Sequence, residues 1–152
     1  MEEMENDSYF NYFAFASNLR ISLLQERIGA AVEEFTSARL ANYGFRFNKK
    51  NKDGSARANL ILSEEEDVFG VVYKIHTRYY DILCKTEPGF KLIEVQVETD
   101  TSYVKALTFL SDEDTDNIIP DKAYLNTILK GAKEHALPEE YQVFIKILAS
   151  PD

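Results

Sequence analysis

Strand patterns run through this chain as far as Leu110, and long helical patterns begin only after it. The β-type runs are rich in aromatic and β-branched residues and are separated by polar turns. They lie at Tyr9–Phe15, Ala31–Arg39, Leu40–Phe47, Ala56–Leu62, Val68–Ile75, Lys91–Thr99 and Tyr103–Leu110. Because the strands precede the main helices instead of alternating with them, the order predicts an α+β fold. We expect a mixed, mostly antiparallel sheet that curls on itself or forms a partial barrel.

Helical spacing occurs in two short segments and two longer ones. Leu19–Ile28 and Tyr79–Cys84 are predicted to be short helices between strands. The first C-terminal helix, capped by Asp121, is expected to bury Leu125, Ile128, Leu129, Ala132 and Ala136. Pro138 is expected to open the last helix, whose core face is Tyr141, Phe144, Ile145 and Leu148. Lys49–Ser55 is predicted to be a polar loop, and Glu64–Asp67 an acidic turn.

Length and charge limit the class of protein. A chain of 152 residues suits one domain, which we place at residues 9–152 behind a disordered acidic tail at 1–8. The single cysteine, Cys84, excludes an internal disulfide and fits a reducing compartment. A formal net charge of −9 opposes binding to nucleic acid or to an anionic membrane. No apolar run approaches the roughly 18 residues of a membrane span. We therefore expect a cytoplasmic protein that binds neither.

Common metal and nucleophile motifs are missing from the sequence. Asp112, Asp114 and Asp116 imitate the start of a calcium loop, but the later glycine and glutamate positions are not filled. His76 and His135 lie far apart, without the spacing of a metal site. Phosphate-loop and nucleophile-elbow patterns are not found either. These observations predict that the protein holds no metal.

Three features remain as candidates for function. The aromatic run Tyr12–Phe15 breaks into Ala16-Ser17-Asn18, a strand end followed by a loop with free backbone amides. Glu87 precedes a proline and, taken alone, would be an ordinary turn residue. Gly131 interrupts a helix at a cost of about 1 kcal/mol, which either marks a close approach by another backbone or has no function.

Taken together, these segments resemble the gamma-glutamylcyclotransferase family. Tyr12-Phe13-Ala14-Phe15-Ala16-Ser17-Asn18-Leu19 is similar to the signature Y-F-A-Y-G-S-N-L, and Val68–Tyr73 is similar to V-W-G-V-V-W. Glu87 falls where the family carries its catalytic glutamate. The segment from Gly131 to Tyr141 resembles G-A-K-E-N-G-L-P-x-E-Y. The order and spacing hold over roughly residues 9–147.

The resemblance implies a reaction and a site. A γ-glutamyl compound would cyclise to 5-oxoproline by attack of its own α-amine, without a cofactor or metal. Glu87 would be the acid/base. The residues expected to bind the substrate are Tyr12, Phe13, Ala14, Phe15, Ala16, Ser17, Asn18, Phe90 and Tyr141. The resemblance also allows a homodimer.

Three departures from the family pattern bear on activity. Ala16 replaces the signature glycine, which is costly if the loop needs a positive φ. Phe15 replaces a tyrosine, and the short turn Pro88–Phe90 ends without one. Besides a cyclotransferase, the sequence therefore leaves open a degenerate relative that binds a small anionic metabolite or a protein partner without turnover. A purely structural interaction module using exposed aromatic residues is a third interpretation.

Overall fold

Five β-strands and four α-helices make up the computed structural model, which describes residues 8–115 and 118–150. The strands are β1 (Tyr9–Ala14), β2 (Phe35–Lys50), β3 (Ala56–His76), β4 (Lys91–Glu98) and β5 (Tyr103–Leu110). The helices are α1 (Ile21–Ile28), α2 (Tyr80–Lys85), α3 (Lys122–Glu134) and α4 (Glu139–Ala149). Single 3₁₀ turns at Ser17–Leu19 and Thr77–Tyr79 precede α1 and α2. The predicted tail at 1–8 lies outside the described residues except for Ser8.

The strands close into a barrel in the order β1-β3-β2-β4-β5. Four of the five strand pairs are antiparallel, and β1 closes the barrel against β5 in parallel, with Tyr12 opposite Leu107. The predicted α+β class with a mixed, mostly antiparallel sheet is therefore confirmed, and the curled sheet closes completely. Among the described residues, no helix is both long and apolar enough to cross a membrane.

The predicted acidic turn at Glu64–Asp67 is wrong. β3 continues through it, so two predicted strands are one strand of 21 residues. The irregularity is absorbed as a bulge: four residues, Ser63–Glu66, lie opposite Asn42 alone. Ion pairs of Glu66 with Arg46 (2.7 Å) and of Asp67 with Arg39 (3.1 Å) hold these carboxylates across the strand pair. Two of the four acidic side chains that indicated a turn are thus paired within the sheet.

Smaller corrections concern the ends of elements. β2 starts at Phe35, not Ala31, and unites the two segments predicted before and after residue 40. α3 ends at Glu134, so Ala136 is not on its core face; it lies beyond the helix at φ +53°. Asp121 occupies the cap position of α3, but its side chain makes no capping hydrogen bond. Ile128 and Ala132 are buried as expected, and so are Tyr141 and Ile145 in α4.

Candidate active site

Glu87 lies in the turn that links α2 to β4. Its N–H donates to the Cys84 carbonyl (3.2 Å), and its own carbonyl accepts from the Phe90 N–H (3.2 Å). Gly89, at φ +87°, allows the tight reversal between them. The turn directs the carboxylate inward, where the side chain is only 8% exposed.

Two arginines contact the buried carboxylate from different elements. Arg57 Nη2, from β3, donates to Glu87 Oε1 in a short charged contact. Arg27 Nη1, from α1, lies 3.5 Å from Glu87 Oε2. Burial raises the pKa of the Glu87 carboxyl above its ordinary value, and the two guanidinium groups oppose that shift without cancelling it. With two cations and one anion, the cluster carries an excess of positive charge.

Arg27 also ties the N-terminal loop to Glu87. The same nitrogen, Nη1, donates to Ser17 Oγ (3.0 Å) and to Asn18 Oδ1 (2.8 Å). Asn18 Nδ2 in turn donates to the Tyr12 hydroxyl (3.0 Å). The loop is therefore held by hydrogen bonds to β1 on one side and to α1 on the other. The first hydrogen bond of the 3₁₀ turn runs from the Leu19 N–H to the Ala16 carbonyl. The N–H groups of Ser17 and Asn18 precede it and therefore have no acceptor within the turn.

The loop, the carboxylate and Arg57 enclose one small cavity. Its volume is about 20 Å³, enough for a single water. Its walls are Tyr12, Phe15, Ala16, Ser17, Asn18, Arg57, Ala58, Glu87, Phe90, Phe109 and Tyr124. The structure thus brings together seven of the ten residues that the sequence nominated.

The other three nominated residues lie elsewhere. Phe13 points to the opposite face of β1 from Tyr12, because strand side chains alternate, and is fully buried. The Ala14 carbonyl packs against Gly70, where a Cβ would come within 2.2 Å of it. Tyr141 packs its ring on Phe69 (5.1 Å between centroids) and lines a different groove with Phe144 and Leu148 of α4. None of these three lines the Glu87 cavity.

The departures at Phe15 and Ala16 have local consequences. Ala16 has φ −127°, so the expected penalty for a left-handed alanine does not arise. Ala16 is one of the residues that line the cavity. Phe15 is buried edge-to-face against Phe45 at 6.2 Å. The loop therefore accommodates both residues without a positive φ.

Sequence reasoning missed Arg27, Arg57, Ala58, Phe109 and Tyr124. The best available signal was Arg57, a charged residue between two alanines in an apolar strand segment, because such a residue usually needs a buried partner.

Tyr124 accepts a hydrogen bond from the Ala58 N–H (2.9 Å), and its pKa is raised by burial despite the nearby Arg57. Burial also raises the pKa of the Tyr12 phenol. Both hydroxyls are therefore neutral at physiological pH.

Helix α3 fixes the position of the loop from behind. A Cβ on Gly131 would lie 2.5 Å from Leu19 Cβ and 2.8 Å from the Arg20 nitrogen, so the glycine marks a close backbone approach. The Leu19 carbonyl accepts from the Tyr73 hydroxyl (2.9 Å) and lies 2.8 Å from His135 Nε2.

Within residues 8–115 and 118–150, His, Cys, Asp and Glu side chains form no group of three that could hold a metal ion.

Known proteins resemble this chain over most of its length. Residues 67–145 match the model of the AIG2-like family. A gamma-glutamylcyclotransferase from Bos taurus is 32% identical over 143 residues, which cover 88% of this chain and 75% of that protein. A gamma-glutamylcyclotransferase from Homo sapiens is 30% identical over 157 residues, covering 97% and 82%. A solved structure described as gamma-glutamyl cyclotransferase has a TM-score of 0.83 at 28% identity, over 91% of this chain and 87% of that one.

Proposed function

The chain belongs to the AIG2-like, gamma-glutamylcyclotransferase family, and from this premise we propose that it releases 5-oxoproline from a γ-glutamyl compound with Glu87 as acid/base. One observation carries the proposal: a buried carboxylate shares a small cavity with the Ser17–Asn18 loop. The binding-only alternative is not favoured, because the relatives that match nearly the whole chain are named as enzymes.

The proposed reaction is a cyclisation within one molecule. The α-amine nitrogen attacks the γ-carbonyl carbon, the ring C–N bond forms, and the amide C–N bond to the leaving amine breaks. One proton moves from the attacking nitrogen to the departing one. Because both reacting groups belong to the substrate, orientation supplies much of the rate, and every product atom comes from the substrate, so the step needs no cofactor.

Glu87 has the properties that this proton transfer requires. A raised pKa brings a carboxylate closer to neutral pH, where a general base that later acts as an acid works best. Its burial keeps bulk water away from the proton in transit. Loss of such a group typically lowers the rate by ~10²–10⁴.

The Ser17–Asn18 loop is proposed to bind the glutamyl group of the substrate. The Ser17 and Asn18 amides precede the first bonded residue of the 3₁₀ turn, and both residues line the cavity. Backbone N–H groups of this kind stabilise the oxyanion that forms as a carbonyl is attacked. Arg27, which holds both side chains, keeps the loop in place before substrate arrives. Phe13, Ala14 and Tyr141, outside the cavity, are assigned a packing role.

The experiment is to incubate the purified chain with γ-glutamyl-alanine and to measure 5-oxoproline. We expect product from the wild type and at least about a 100-fold slower reaction from Glu87→Gln. Glu34→Gln is a suitable control, because Glu34 is a glutamate in an exposed ion pair with Lys74 and does not line the cavity. Equal rates for the wild type and Glu87→Gln would contradict the role of this carboxylate.

A further inference from the structure

Arg57 lines the cavity and has a hydrogen-bond donor available for an anion. Its guanidinium carbon contacts two aromatic rings, 5.5 Å from the Phe90 centroid and 5.6 Å from the Tyr124 centroid. Its Nε is buried and has no hydrogen-bond partner among the described residues. A buried donor without an acceptor is costly, and it is satisfied when a ligand oxygen reaches it.

The charge of the cluster also favours an additional anion. Arg27 and Arg57 face the single carboxylate of Glu87, leaving one positive charge uncompensated. A planar guanidinium pairs best with a carboxylate, through two parallel hydrogen bonds. An ammonium or an uncharged alkyl group satisfies neither the charge nor the free Nε–H.

The position of Arg57 identifies which end of the substrate it meets. Glu87 turns Oε2 toward Arg27, which holds the Ser17–Asn18 loop, and Oε1 toward Arg57. If the loop holds the glutamyl group, the leaving group extends past Glu87 to the Arg57 side. Glu87 then stands between the two nitrogens that exchange a proton.

We propose that Arg57 determines leaving-group specificity: it binds the carboxylate of an amino acid leaving group and exchanges Glu87 for the substrate as its partner. Substrates whose leaving group lacks this carboxylate lose the contact with Arg57. This inference rests on the proposed cyclotransferase function. A cavity of about 20 Å³ is too small for a substrate, so the exchange requires the Arg57 side chain to move away from Glu87.

The test compares two substrates that differ only at the leaving-group carboxylate, γ-glutamyl-alanine and γ-glutamyl-alaninamide. We expect wild-type kcat/KM to favour the alanine compound by about tenfold or more, the value of a hydrogen-bonded charge pair. In Arg57→Gln this ratio should collapse toward one, mainly through KM for γ-glutamyl-alanine. Arg57→Lys, which keeps the charge without the planar fork, should restore part of the ratio.

The ratio of the two kcat/KM values is insensitive to general damage to the site, because such damage would slow the turnover of both substrates alike. Arg46→Gln, which breaks an arginine–glutamate pair outside the cavity, should leave the ratio at its wild-type value. Equal wild-type turnover of both substrates, or an unchanged ratio in both Arg57 variants, overturns this inference and leaves the cyclotransferase proposal standing. No turnover of either substrate by the wild type overturns both.

Discussion

Arg27 Nη1 lies 3.5 Å from Glu87 Oε2, although the two residues are 60 positions apart in the chain. The same nitrogen hydrogen-bonds the Ser17 and Asn18 side chains. One guanidinium therefore couples the proposed base to the loop proposed to hold the substrate. The following predictions test parts of this arrangement.

Replacing Arg27 by glutamine should impair both parts of the site. The loop loses a charged donor, and Glu87 loses a cation that lowers its pKa. We expect kcat/KM for γ-glutamyl-alanine to fall by roughly 10- to 100-fold. The acid side of the pH–rate profile should move to higher pH, because a base whose pKa is higher remains protonated longer.

The control for Arg27→Gln is Arg39→Gln. Arg39 pairs with Asp67 and Glu98 away from the cavity, so its loss should leave the profile in place. An acid limb that stays fixed in Arg27→Gln would show that this guanidinium does not set the protonation of the base.

Glu87→Gln should change how stability depends on pH. The pKa of Glu87 is raised above the ordinary 4.5 in the folded protein, so the folded state binds its proton more tightly than the unfolded chain. Wild-type stability relative to Glu87→Gln should therefore fall as pH rises from 4.5 through the folded-state pKa.

Urea unfolding of both proteins at a series of pH values measures this difference. The comparison isolates Glu87, because glutamine does not titrate and the other groups are common to both proteins. A difference that is flat over this interval, or that grows in favour of the wild type, would contradict the raised pKa.

Gly131→Ala should displace the Ser17–Asn18 loop by pushing against the residues that follow it, Leu19 and Arg20. The new methyl would meet Leu19 Cβ at 2.5 Å and the Arg20 backbone nitrogen at 2.8 Å. Overpacking of this kind costs about 1–3 kcal/mol, despite the gain in helix propensity. Thermal unfolding should show lower stability, and kcat/KM should fall with it. Lys130→Ala, one residue earlier and exposed, should show neither effect.

Tyr12→Phe should weaken the loop without changing the shape of the cavity. It removes the hydroxyl that accepts from Asn18 Nδ2 and leaves that buried amide without its partner. Such a loss costs about 1–3 kcal/mol, which should appear in chemical denaturation and as lower kcat/KM. Tyr9→Phe is the matched variant, because Tyr9 is in the same strand and half exposed; comparable losses in both would argue against a specific role for the Tyr12 hydroxyl.

The sequence was most informative about features that depend on residues within one short segment. The break after Phe15 marked the end of β1, and the spacing of Ile128 and Ala132 marked the buried face of α3. It misled at Glu64–Asp67, because four consecutive acidic residues are typical of a turn, and no local pattern shows that Glu66 and Asp67 pair with Arg46 and Arg39 of β2.

What the sequence by itself determined was the class of fold, the order of its elements and the identity of the loop and the glutamate as candidates. The class and the order follow from side-chain periodicity, and the two candidates follow from short motifs that resemble those of the family; both are local properties of the sequence. Only the tertiary structure decided that Arg27 and Arg57 flank Glu87, and that Tyr141 lies in another groove. The physical reason is that barrel closure and the packing of α1 against the α2–β4 turn juxtapose charges from separate segments, and no local pattern encodes such a pairing.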